Sequence, residues 1–96
     1  MEIVGDKIIG PYVLERNIEF RGMATEGMTV KCGVELILRG VVIGDLIVEA
    51  GARVEVHGMV GGTVFNEGGN VTIWGMVDRI AGSSSCTLAP GAIVRL

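Results

Sequence analysis

From Gly22 to Gly75 the chain reads GMATEGMTVKCGVELILR (22–39), GVVIGDLIVEAGARVEVH (40–57) and GMVGGTVFNEGGNVTIW (58–74), then starts again at Gly75 with GMVDRI. Gly22, Gly40, Gly58 and Gly75 recur at a nearly constant interval, and a second series, Gly33, Gly51 and Gly69, runs in step with them. Apolar residues fall in columns on this period: Ala24, Val42, Val60 and Val77; Met28, Leu46 and Val64; Leu36, Val54 and Val71; Leu38, Val56 and Ile73. Within a repeat these positions lie two apart, which puts their side chains on one face of a strand.

A repeat of this length carries too few inward apolar side chains to bury them alone, so neighbouring repeats must stack and share a core. The columns predict an all-β chain folded as one short β-solenoid of about 4–5 coils with a period of about 18 residues, up to three short strands per coil and glycines at the corners. A β-sandwich also has short strands separated by turns, but nothing in a sandwich keeps such a register down its columns.

Working outward, residues 18–80 form the regular coils. Ile18, Phe20 and Gly22 match the end of the later repeats, whereas residues 1–17, with Pro11 and the larger Tyr12, Val13 and Leu14, read as an irregular first coil or cap. Beyond GMVDRI the register slips. The step from Gly69 to Gly91 is longer than the repeat, so a small Ser-rich loop over 81–90, centred on Ser83–Ser85, is expected as an insertion. GAIVRL (91–96) then resumes as a final strand, with Val94 and Leu96 in the places of Val54 and Val56.

Composition narrows the function classes. The 96 residues form one domain, 49% hydrophobic with mean hydropathy +0.55, which argues against disorder. Net charge is −3 with scattered basic residues, so no nucleic-acid footprint is present. No apolar run is long enough to span a bilayer, and MEIVGDKIIGPYV does not read as a secretory leader; the expected location is the cytoplasm. Cys32 and Cys86 make neither a disulfide framework nor a zinc site.

Catalytic chemistry is thin. His57 is the single histidine, in a column with Arg39 and Trp74, and reads as a solvated outward side chain. The glycines fit no phosphate-binding motif, and Glu49 and Glu67, aligned with Lys31, read as a solvated face, not a calcium site. A non-enzymatic protein without cofactor or metal is expected.

Two contact surfaces are expected. A solenoid that stops at Leu96 in mid-strand would expose ladder groups and the rim of its core, which another copy or a partner would cover. Val94 and Leu96 at that end, and Ile3, Val4, Ile8 and Ile9 at the other, are the candidate self-association residues. Ile37, Ile47, Phe65 and Trp74 fall where alternation faces them outward, as an apolar stripe for a protein partner. Met23, Val41, Met59 and Met76, each following a first-series glycine, either turn inward at the corner or form a further contact surface.

The run GVVIGDLIVEAGARVEVHGMVGGTVFNEGGNVTIWGMV resembles the bactofilins, polymer-forming bacterial cytoskeletal proteins, in its Gly-x-Val and Gly-Asp-Leu units and apolar alternation closing on Gly; the C-terminal domain of the division inhibitor MinC is similar on the same grounds. The resemblance covers about residues 18–80. It implies a three-sided, right-handed β-helix and a scaffold that self-associates end to end through its terminal coils. The chain has fewer coils than bactofilins and lacks their flexible flanking tails. That leaves a second expectation, a small monomeric or dimeric binding module of inhibitor or immunity type that uses an exposed face.

Overall fold

A computed structural model describes residues 1–95. It is an all-β solenoid of about five turns with a ~17-residue period. Among the described residues the strands follow one another as β1 Glu2–Val4, β2 Lys7–Ile8, β3 Tyr12–Leu14, β4 Ile18–Phe20, β5 Met23–Ala24, β6 Met28–Val30, β7 Glu35–Leu38, β8 Val41–Val42, β9 Leu46–Val48, β10 Arg53–Val56, β11 Met59–Asn66, β12 Asn70–Ile73, β13 Met76–Ala81, β14 Thr87–Leu88 and β15 Ile93–Val94.

Each turn contributes to three faces. Face A is the six-stranded parallel sheet β1-β4-β7-β10-β12-β14. Face B stacks β2, β5, β8, the starts of β11 and β13, and β15. Face C stacks β3, β6, β9 and the ends of β11 and β13. Strands β11 and β13 run from B to C without a break, with a register shift between Val60 and Thr63.

The predicted columns stand directly over one another. Leu36 pairs with Val54 and Val54 with Val71 on face A, and Val42 with Val60 and Val60 with Val77 on face B. The inward residues are fully buried, among them Ile18, Phe20, Leu36, Leu38, Val42, Leu46, Val56, Val60, Val64 and Ile73. Each adds apolar area to one continuous core, worth roughly 1.5–3 kcal/mol per large aliphatic side chain buried.

The two glycine series do different work. Gly22, Gly40, Gly58 and Gly75 occupy the A-to-B corner with ordinary φ, and a Cβ on any of them would fall onto the backbone carbonyl oxygen of the residue one turn below. The backbone N–H of the following residue donates to that same oxygen, as from Met59 to Gly40 at 3.1 Å and Met76 to Gly58 at 3.1 Å. Gly33 and Gly51, by contrast, sit at the C-to-A corner with φ of +78° and +79° and room for a Cβ, so they meet a turn requirement; one turn on, Gly68 takes the left-handed position with φ +113°, and Gly69 departs from its series in having ordinary φ and no space for a Cβ.

Two expectations about the ends are corrected. Of the two forms expected for residues 1–17, the first coil is found and the cap is not, and the coil is regular: β1, β2 and β3 pair in order with β4, β5 and β6, with Glu2 on Ile18, Lys7 on Met23 and Tyr12 on Met28. At the other end, 81–90 is not simply an inserted loop, because Thr87–Leu88 already pairs with Thr72–Ile73 on face A, sooner than the regular period would bring it there. Val94 therefore pairs with Val77 on face B and does not take the place of Val54; Leu96 lies outside the described residues. The extra residues sit at the next corner, where Ala92 N–H donates to Ala89 C=O at 3.0 Å and Gly91 adopts φ +89°. That turn resembles the one at Gly51, where Ala52 N–H donates to Glu49 C=O at 3.1 Å, and this is why GAIV resembled GARV.

The shortened corner is pinned by Asn66, a completely buried polar residue in the column of Leu14, Val30 and Val48. Its side-chain amide donates to Gly69 C=O at 3.1 Å and Ser85 C=O at 3.0 Å, while its Oδ1 accepts from Gly69 N–H at 2.8 Å and Gly68 N–H at 3.3 Å. All its hydrogen-bonding capacity is used, which removes the burial cost of the amide. Cys86 lies beside it; burial pushes its thiol above the ordinary value, and a hydrogen bond with Asn66 acts in the opposite direction.

Gly58→Ala is expected to lower the stability to urea by about 2–3 kcal/mol through overpacking against backbone, whereas Gly51→Ala should cost only about 1–2 kcal/mol for its left-handed φ. Equal losses would contradict the distinction between the corners. The Cys86 thiol keeps its proton to higher pH folded than unfolded. Its contribution is thus full below the ordinary thiol pKa, about 8.5, and is lost as pH rises through the raised value. The urea midpoint should fall above that pH, and Cys86→Ala should flatten the decline.

Candidate functional site: an outward apolar face

Alternation on face B settles the direction of the methionine column. With Ala24, Val42, Val60 and Val77 facing inward, Met23, Val41, Met59 and Met76 must face outward; Ile93 continues the column on β15, and the exposed Lys7 begins it on β2. Met23, Met59 and Ile93 are exposed; Val41 and Met76 are half-buried by their neighbours along the column. Ile43, two positions beyond Val41, adds to the same face.

The glycine corner shapes this surface. Because Gly40, Gly58 and Gly75 carry no side chain, a shallow groove of about 430 Å³ opens beside Val41, Met59, Met76 and Ile93 and is bounded on its far side by Arg39 and His57. The packing that brings successive turns together at this corner thus also leaves the floor of the groove bare.

The A-to-B corner beyond the groove is a ladder of Arg21, Arg39, His57 and Trp74. Arg21 and Arg39 share the largely buried carboxylate of Glu19, the latter at 3.6 Å, so the guanidiniums are the outward members of this cluster. His57 Nε2 lies 3.0 Å from Glu55 Oε1, and its ring stacks on the Trp74 indole with centroids 5.6 Å apart and planes 9° apart. The opposite, B-to-C corner carries Glu26 and Asp45, neither of them in an ion pair among the described residues. Asp45 Oδ1 accepts from Thr63 N–H at 2.9 Å, which anchors that corner to the turn above.

The residues expected as one binding stripe are divided. Ile47 and Phe65 are ladder neighbours on face C. Ile37 is half-buried on face A, in the column between Glu19 and Glu55. Trp74 is 47% exposed at the A-to-B corner, on the rim of face B. Strict alternation identified each as outward but could not say which face it belonged to.

The expected self-association residues are divided in the same way. Val4, Ile8 and Val94 pack against the end of the core, whereas Ile3 and Ile9 point outward from the sides, Ile9 with 77% exposure. Leu96 is outside the described residues. Among the described residues no cluster of three His, Cys, Asp or Glu side chains is placed to hold a metal, and no helix is long and apolar enough to cross a membrane.

No protein-family model, curated protein or solved structure matches the chain. The β-solenoid is thus the class the structure defines.

Dilute peroxide should oxidise Met23 and Met59 well before Met28, which is buried at 3% exposure. Peptide mass spectrometry reads this directly, and equal oxidation of Met28 would refute the assignment of the faces.

Proposed function

We propose that this chain is a non-enzymatic structural protein that acts by contact, with face B as its working surface. The supporting observation is the alignment of Met23, Val41, Met59, Met76 and Ile93 in one outward column. Isolated surface hydrophobes are ordinary, but a contiguous apolar strip with a groove along it is the usual mark of an interface. Methionine suits such a surface because its flexible thioether fits varied shapes, and Trp74 at the rim has the aromatic character of an interface anchor.

A second reading is end-to-end assembly, as the bactofilin resemblance implies. It is supported by Val4 and Ile8 on the first turn and Val94 on the last described strand, each resting on the core and still partly open to solvent. All ladders are parallel, so a copy stacked head to tail would continue them, and such contacts propagate without closing.

Sedimentation of Met59→Glu, Ile47→Glu and Val94→Glu across concentration separates these readings. Contact through face B predicts that Met59→Glu weakens association at least tenfold while the other two behave as the parent. If Val94→Glu alone disrupts assembly, the end-to-end reading takes its place.

A further inference from the structure

We infer that the partner of face B is a second copy of this chain, paired side by side with the two solenoid axes parallel and related by a two-fold axis that runs along them. The inference rests on the contact role proposed for this face and adds the occupant and its orientation.

The orientation follows from the signs of the two corners that flank the face. The A-to-B corner presents Arg21 and Arg39 in the second and third turns, and the B-to-C corner presents Glu26 and Asp45 in the same two turns. A two-fold parallel to the solenoid axis keeps every turn opposite its own counterpart and exchanges the corners. Arg21 then meets the level of Glu26 in the other copy, and Arg39 the level of Asp45, each twice by symmetry. It also sets Met59 across from Gly61, where a Cβ would have only ordinary contacts and a neighbouring side chain finds room.

The alternative two-fold, perpendicular to the solenoid axis, sets each corner on its own kind. In the central turns Arg39 would then face His57 and Asp45 would face Thr63, and of the two carboxylates only Glu26, opposite the level of Arg79, would meet a cation. Opposite charges across an interface select orientation more than they add affinity, so the corners decide between two arrangements that the apolar column alone would accept equally.

Area sets the strength. The five strands that carry the apolar column, at about 4.8 Å spacing with a side roughly 20 Å across, offer on the order of 500 Å² per copy. Standard interfaces bury about 800 Å² per partner. The dimer is therefore weak and reversible, seen only at high protein concentration and weakened by salt.

The test uses the full chain carrying Cys32→Ser and Cys86→Ala, with Met23→Cys or Ile93→Cys added and a thiol cross-linker shorter than about 10 Å, roughly two ladder spacings. These two positions are four turns apart, about 19 Å at ladder spacing. Parallel pairing predicts that each variant cross-links to itself and that a mixture gives no preferential mixed species. Mixed Met23→Cys/Ile93→Cys products without self-products would overturn the orientation and leave the contact role of the face intact. As an independent measure, Arg21→Glu and Glu26→Arg should each weaken dimerisation by about tenfold, and the double exchange should restore it. A chain that sediments as a monomer up to about 1 mM overturns the pairing itself, since a contact not populated there is no stronger than nonspecific packing.

Discussion

The structure depends on how closely one turn approaches the next at the A-to-B corner. There the carbonyl oxygen of Gly22, Gly40 or Gly58 occupies the space in which a side chain of the glycine one turn above would begin, and it accepts the backbone N–H that follows that glycine. This contact holds the ladder spacing where the chain changes face, and the parallel pairs on both sides follow from it. A residue with any side chain at that point would force the turns apart and loosen the columns behind them.

Once the turns are locked in register, like stands on like inside and outside. Inside, the Val42, Val60 and Val77 column makes a core with few rings and few polar atoms. Outside, the same register aligns Met23, Val41, Met59, Met76 and Ile93, although packing the core makes no demand on them. Burial explains the inward column completely and the outward column not at all, so the outward column is the part of the fold that points to a role. The bare glycine corner adds a groove, and the flanking corners add opposite charges.

Departures from the repeat gather at the last turns. Asn66 stands where a branched aliphatic would otherwise continue the Leu14, Val30 and Val48 column, and its amide fastens Ser85 across a corner shorter than those below. An unpartnered amide in that position would cost about 1–3 kcal/mol; fully hydrogen-bonded, it instead sets the path of the chain. Its effect is to bring Thr87–Leu88 onto face A early; the extra residues at the following corner restore the period, so that Val94 stands over Val77 on face B.

The sequence by itself determined the solenoid, the inward columns and the corner glycines, because a long period combined with an alternation of two is a local regularity that only stacked strands satisfy. It also marked Ile37, Ile47, Phe65 and Trp74 as outward. Which outward residues share a face was decided only in three dimensions, since that depends on how many residues each corner consumes, and corners tolerate small changes of length that alternation does not register. The same reason hid the true register of Val94 and the regularity of the first turn, where Glu2 meets Ile18 slightly ahead of the period that the later turns keep. The role of Asn66 was hidden too: a buried amide is distinguished from a surface one by hydrogen-bond partners such as Ser85, distant along the chain, that only the folded structure brings within reach.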